Sequence, residues 1–158
     1  RWHRAGKLAG VITQNIDGLH QRAGVPASKT VELHGNGTYA HCLACGTRHE
    51  LDWVADELEA HSDAPACVAC GGVVKTATIS FGQTMPVDEM RRAGEMTRDS
   101  DLFLAVGSSL LVEPAASFPA IAARLGIPLV IINGEPAPAD GLAELVIHDD
   151  IGDVLQEI

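Results

Sequence analysis

The sequence predicts an α/β protein built on a parallel sheet and interrupted by one small cysteine-bearing insertion. Three observations predict it. Short apolar runs end in polar or glycine-containing turns, these runs alternate with segments of helical periodicity, and two Cys-x-x-Cys pairs break the pattern between residues 41 and 72. At 158 residues and 46% apolar, the chain has enough material for one domain carrying such an insertion.

Taken in order, Arg1 to Arg4 read as the end of a helix already under way, as in a piece of a longer chain. Gly10 to Thr13 form the first strand, and Thr30 to Leu33, alternating in polarity, form the second. Inside the insertion Leu51, Val54 and Leu58 recur at helical spacing among acidic residues, with Pro65 as the stop. Val87, Met90, Ala93 and Met96 mark a helix after Pro86, and Ala115 to Leu125 a second one started near Pro114; both read as crossovers. Asp101 to Val106, Pro128 to Ile132 and Leu145 to His148 are too short for independent helices and read as strands buried on both faces. Gly134 to Asp140 is the only linker-like stretch.

Cys42 and Cys45, then Cys67 and Cys70, place two thiolates in each of two tight turns, with 21 residues between Cys45 and Cys67. That spacing suits a ribbon closing one tetrahedral zinc site. The competing reading is four reduced or disulfide-paired core cysteines; Gly46 and the Gly71, Gly72 pair, which follow the knuckles as ribbon turns do, favour metal. Four sulfurs leave no coordination position for water or substrate, so the ion is expected to be structural.

In parallel sheets ligands gather at the carboxyl ends of strands. The first strand delivers Thr13, Gln14, Asn15 and Asp17; a later one delivers Gly107, Ser108 and Ser109; a third delivers Asn133 and Glu135. Together these tips predict a nucleotide-sized site, although a Gly-Ser pair taken singly is more often a turn. Gly35, Asn36 and Gly37 begin a dinucleotide fingerprint, but the third glycine is absent and no helical pattern follows. His34 ends a strand just before Gly35, where an imidazole can serve as a base. By spacing alone it is more often a packed or solvated residue than a catalytic one, and His20, His41, His49, His61 and His148 carry no stronger signal.

A formal net charge of −10 argues against nucleic-acid binding, which needs basic surface to neutralise phosphates. No apolar run is long enough to span a membrane and no secretory leader is evident, so a soluble cytoplasmic protein is expected, and low lysine with abundant alanine suggests a bacterial source.

The residues Thr13, Gln14, Asn15, Ile16, Asp17, Gly18, Leu19 and His20, then Ala23 and Gly24, then Glu32, Leu33, His34 and Gly35, the paired knuckles, Ser80, Phe81 and Gly82, then Gly107, Ser108, Ser109 and Leu110, Pro114 to Ala116, and Ile132 with Asn133 resemble a sirtuin, motif by motif and in family order. The resemblance covers nearly the whole chain. It implies a Rossmann-like NAD-binding domain over residues 1–40 and 73–158, incomplete at its start, with a structural zinc module at 41–72. It implies NAD-dependent removal of an acyl group from a protein lysine, with nicotinamide, free lysine and acyl-ADP-ribose as products. A silent acyl-lysine-binding scaffold and a mono-ADP-ribosyltransferase are the alternatives.

By the same resemblance His34 is the catalytic base, which deprotonates a ribose hydroxyl. Gln14 and Asn15 lie along the ribose, and Asn15, Ile16 and Asp17 form the nicotinamide pocket. Gly107, Ser108 and Ser109 approach the phosphates and adenosine side, Asn133 and Glu135 the adenosine ribose, and Asp150 and Ile151 flank adenine. Ser80, Phe81, Gly82 and Gln83 on one side, and Leu111, Val112 and Glu113 on the other, bracket an acyl-lysine peptide. Two departures fall near the peptide: Gln83 stands where the family commonly has Glu, and Thr76 where it has Pro. The glycine-rich phosphate loop that opens sirtuin domains is missing, so the segment alone is expected to be inactive.

Overall fold

A computed structural model describes residues 1–80 and 82–157. The chain divides into two compact units, residues 1–89 and 90–158.

In the first unit, Arg1 to Lys7 have the closing turn of a helix, as expected there: the Ala5 N–H bonds the Arg1 carbonyl at 3.1 Å, the Gly6 N–H the His3 carbonyl and the Lys7 N–H the Trp2 carbonyl, both at 3.0 Å, with Gly6 as the left-handed cap (φ 71°). Strand β1 (Val11–Thr13) leads through a single helical turn, α1 (Leu19–Arg22), and a 3₁₀ turn at Ala27–Lys29 into β2 (Thr30–Glu32). The β-branched residues of β1 and β2 suit extended backbone, and the two strands pair in parallel, with Ile12 opposite Val31 and Thr13 opposite Glu32. The Leu33 N–H continues the ladder to the Thr13 carbonyl at 3.0 Å. Val31 and Leu33 are fully buried, which anchors the turn that follows.

That turn feeds β3 (Gly35–Cys42), so the Gly35, Asn36, Gly37 segment opens a strand and not the helix of a dinucleotide fingerprint. β3 is the centre of an antiparallel sheet between β4 (Arg48–Glu50) and β5 (Val74–Thr78). Helix α2 (Leu51–His61) lays Leu51, Trp53 and Val54 on the buried Ala40, Cys42, Cys67 and Val74. The helix stops before Pro65: Ser62 takes a left-handed conformation (φ 57°) and its N–H bonds the Leu58 carbonyl at 2.9 Å, so a cap ends it.

Helix α3 (Val87–Arg98) runs from the end of the first unit into the second. It connects β5 to β6 (Phe103–Val106), strands of different sheets, so it is not a crossover within one sheet. Helix α4 (Ser117–Arg124) is such a crossover, joining β6 to its parallel neighbour β7 (Leu129–Ile132), which pairs on its other edge with β8 (Leu145–Ile147). Burial on both faces holds for β7 alone. Leu129, Ile131 and Ile132 are all but inaccessible, while β6 is largely half-buried and Leu145 is exposed, because only β7 has a neighbour on each side.

The stretch expected to be a linker is folded: Asp140 Oδ2 accepts the Ala137 N–H at 3.0 Å, and Ala139 joins Ala105, Leu129 and Ile131 in the core. The short helix α5 (Ile151–Glu157) closes the chain. Among the described residues no helix is long and apolar enough to cross a membrane.

Candidate functional site

The cysteine cluster is built twice by the same local geometry. Cys42 ends β3, the Ala44 N–H points at its Sγ at 3.4 Å, and the Gly46 N–H bonds its carbonyl at 2.9 Å. At the second knuckle the Ala69 N–H points at Cys67 Sγ at 3.4 Å and the Gly71 N–H bonds the Cys67 carbonyl at 2.8 Å. Gly46 and Gly71 both sit at positive φ (74° and 73°), the conformation that lets each turn fold under its own sulfur.

The two turns face one another. Cys42 and Cys70 Sγ are 3.5 Å apart, Cys45 and Cys67 Sγ 3.7 Å, and all four sulfurs lie within 4.8 Å of each other. Disulfides require about 2.05 Å, so the cysteines are not cross-linked. Tetrahedral ligation at Zn–S of about 2.3 Å puts sulfurs roughly 3.8 Å apart, and this cluster fits one structural zinc ion.

The cluster's electrostatics point the same way. A hydrogen bond with the Thr47 hydroxyl (3.1 Å), aided by the Thr47 backbone, pulls the Cys45 thiol down to about 6. At Cys70 the Gly72 backbone favours the thiolate, but hydrogen bonding with Cys45 and Cys42 outweighs it and pushes the thiol up to about 12. Four sulfurs this close resist ionising together unless a cation shares their charge.

A second constellation lies where β1 and β2 end. His34 Nδ1 is 3.1 Å from the Gln14 carbonyl oxygen. A carbonyl only accepts, so Nδ1–H donates, and in the neutral ring Nε2 keeps its lone pair. The Gly37 N–H bonds the Ile16 carbonyl at 2.7 Å, which ties the Gln14 to Asp17 loop to the start of β3 a second time. Within the loop Thr13 Oγ1 accepts the Asn15 N–H at 3.1 Å, and Asp17 Oδ1 accepts the Leu19 N–H at 3.0 Å. The Gln14 to Asp17 loop is thus tied to the His34 turn at two points, Gln14 and Ile16.

Residues flanking the His34 turn form a network that the sequence did not reveal. Glu32 Oε1 accepts from both Gln21 Nε2 and Asn36 Nδ2 at 2.8 Å, and Asn36 Oδ1 accepts from the Thr38 N–H at 2.7 Å and the Thr38 hydroxyl at 2.6 Å. Asn36 is 7% exposed. The available signal was an asparagine at an inward strand position, four residues after an acid.

In the second unit, the ends of β6, β7 and β8 carry the other expected residues. The Gly107 N–H bonds the Ile132 carbonyl and the Asn133 N–H bonds the Ile147 carbonyl, both at 3.0 Å, so the two tips continue the sheet. Gly107 lies against Ile151: a methyl group on it would be 2.8 Å from Ile151 Cδ1. Asp150 Oδ1 accepts the Asp153 N–H at 3.1 Å in the first turn of α5. Ser109, Asn133 and Glu135, with Leu111 and the prolines at 136 and 138, line an open groove of about 480 Å³. Asn133 Nδ2 donates to the Glu135 carbonyl at 2.7 Å, and Ser108 Oγ accepts the Leu110 N–H at 3.2 Å.

Of the residues expected to meet a peptide, Ser80 and Gln83 close a turn on each other, the Ser80 N–H donating to Gln83 Oε1 at 2.6 Å and the Gln83 N–H to the Ser80 carbonyl at 3.0 Å, with Gly82 between them. Phe81 lies outside the described residues. Leu111 and Val112 are exposed, and Glu113 Oε2 accepts the Ser117 hydroxyl at 2.5 Å.

Known proteins share this arrangement. An NAD-dependent protein deacetylase of Rhodopseudomonas palustris is 56% identical over 153 residues, covering 97% of this chain and 60% of that protein. A Sir2 structure bound to a propionylated peptide superposes with a TM-score of 0.90 at 37% identity, over 99% of this chain and 65% of that one. A Sir2 structure with a p53 peptide and NAD+ matches equally, with 0.90, 37%, 99% and 64%. The chain therefore spans just under two thirds of the length of these relatives. A family profile described as the Sir2 family matches residues 1–114. With the knuckles, the His34 turn and the parallel strands found in that order, the chain belongs to the Sir2 family.

Proposed function

We propose that this chain is the greater part of an NAD-dependent protein lysine deacylase in which His34 is the general base. One observation carries the reading: the hydrogen bond between His34 Nδ1 and the Gln14 carbonyl, which fixes the ring against the Thr13 to Asp17 loop and leaves Nε2 able to take a proton. The curated relatives named NAD-dependent protein deacetylase support it.

Bound NAD would supply an electrophilic sugar carbon once its nicotinamide departs. The chain's residues do the rest. Nε2 of His34 accepts the proton of a sugar hydroxyl while Gln14 holds the ring. One carboxylate oxygen of Asp17 is committed to the Leu19 N–H, which leaves the other to accept from a carboxamide NH₂ beside Asn15 and Ile16. The groove containing Ser109, Asn133 and Glu135 receives the adenosine half, with Gly107 and Ser108 at the phosphates and Asp150 and Ile151 at the adenine. Ser80, Gly82 and Gln83, together with Leu111, Val112 and Glu113, are assigned to the acyl-lysine peptide, held mainly by its backbone, so sequence readout is loose. Residues 1–40 and 73–158 form the NAD-binding part and 41–72 the metal module, in a cytoplasmic bacterial protein.

The test uses the full-length protein with labelled NAD and an acetylated peptide. Release of nicotinamide and free lysine is expected; labelling of the protein instead marks a transferase, and neither product marks a scaffold. His34→Tyr is expected to abolish both releases, and undiminished turnover removes His34 from the chemistry.

A further inference from the structure

His49 is the middle residue of the three-residue strand β4. The alternation of side chains turns it inward, while its neighbours Arg48 and Glu50 stay in solvent and pair with each other at 2.8 Å. It pairs in register with Ala40 of β3, at the base of the cysteine cluster, and is 6% exposed. Its ring stacks on Trp53, four residues on and in the first turn of α2, with centroids 4.5 Å apart and planes 25° from parallel. Its Nε2 lies 3.4 Å from Cys67 Sγ.

Each knuckle has one buried sulfur, Cys42 and Cys67, and each of these receives one backbone N–H at 3.4 Å. Among the described residues only Cys67 has an imidazole within hydrogen-bond distance as well. A metal-bound thiolate accepts and does not donate, so with zinc in place the contact would be an Nε2–H···S hydrogen bond.

We infer that His49 is a positioning residue for the metal. Its N–H orients Cys67 Sγ and shares the charge of a sulfur that has lost its water, and Trp53 holds the ring flat in the one orientation that aims Nε2 at the sulfur. Outer-shell donors of this kind set how firmly a metal is kept. The inference rests on the four cysteines holding zinc, and it adds the His49 side chain to the residues that govern retention of the ion.

The experiment compares the zinc-loaded protein with His49→Phe, which preserves the stacking and removes the N–H, and with His49→Gln, whose amide restores a donor at similar reach. Zinc content is measured first, then release to a chromophoric chelator, with thermal unfolding at saturating zinc as a control. One zinc per chain is expected in the parent. Release should be about tenfold or more faster in His49→Phe, His49→Gln should stay close to the parent, and the unfolding temperatures at saturating zinc should differ little. Equal release from the parent and His49→Phe, or equally fast release from His49→Phe and His49→Gln, overturns the role of the N–H while leaving the metal site standing. Absence of zinc from the parent overturns both. If His49→Phe fails to fold, His49→Gln is set against His49→Asn, the same amide one methylene too short: faster release from Asn supports the inference, and equal release overturns it.

Discussion

A methyl group placed on Gly35 would lie 2.1 Å from the carbonyl oxygen of Ala77 and 3.1 Å from the Cα of Thr78, both backbone atoms of β5. Gly35 also has φ of +73°, so the residue after His34 is fixed as glycine twice over. Gly35→Ala should cost about 3 kcal/mol or more, combining left-handed strain with an overpacked backbone contact. For a chain of this size that is roughly 6–12 °C in melting temperature. A change of under about 2 °C in a thermal melt would mean that the β3–β5 contact yields easily.

Asn36→Ala removes one donor and one acceptor from a buried network. It leaves Glu32 without the Asn36 amide and the Thr38 N–H without its acceptor. Stability should fall by about 2 kcal/mol, the usual cost of stranding such groups. Because Asn36 touches none of the atoms proposed to react, any activity that survives should change far less than with His34→Tyr. A loss of activity as complete as that of the His34 variant, in a protein of unchanged stability, contradicts this division of labour.

Gly72→Ala tests the packing of the metal cluster. The added carbon would sit 2.8 Å from Ala44 Cβ, 2.9 Å from Cys42 Sγ and 3.3 Å from Cys70 Sγ, between the two knuckles. The sulfurs must spread to admit it. Zinc retention against a chelator should drop by about tenfold, and retention equal to the parent would show that the knuckles can part without cost.

Zinc binding should release protons, and its apparent affinity should fall on acidification. At pH 7 Cys45, with its pKa drawn down to about 6, is already mostly thiolate, whereas Cys70, held at about 12, is protonated and must surrender its proton to the metal. Below about pH 6 Cys45 is protonated too, which adds one more proton to be displaced and steepens the fall. Calorimetry in two buffers of different ionisation enthalpy reads the proton count directly. Binding without proton release at pH 7, or tighter binding at pH 5, goes against this assignment.

The local features were legible because they are written in contiguous residues. Each knuckle is a turn of five residues in which one N–H reaches the first sulfur and another the first carbonyl, so Cys42, Cys45, Cys67 and Cys70 announced a metal site by spacing alone. Strand β7 is equally local, four apolar residues too few for a stable helix. The polar tips after β1, β6 and β7 followed from knowing where strands end.

Tertiary structure decided what depends on pairing between distant segments. Which strands lie side by side fixes which of them is central, and so β7, buried except for the half-buried Val130, is the most enclosed strand of its sheet while Leu145 of β8 faces solvent. Residues 134–140, rich in proline and alanine, read as a linker until Asp140 folded them onto the core. His49 carried no signal in the chain and Asn36 only its place four residues after an acid, because their partners depend on strand register, β4 against β3 for one and the turn from β2 into β3 for the other. Spacing along a chain specifies turns and periodicity, whereas the environment of a buried polar side chain is set only when remote backbone segments lock into one register and exclude water between them.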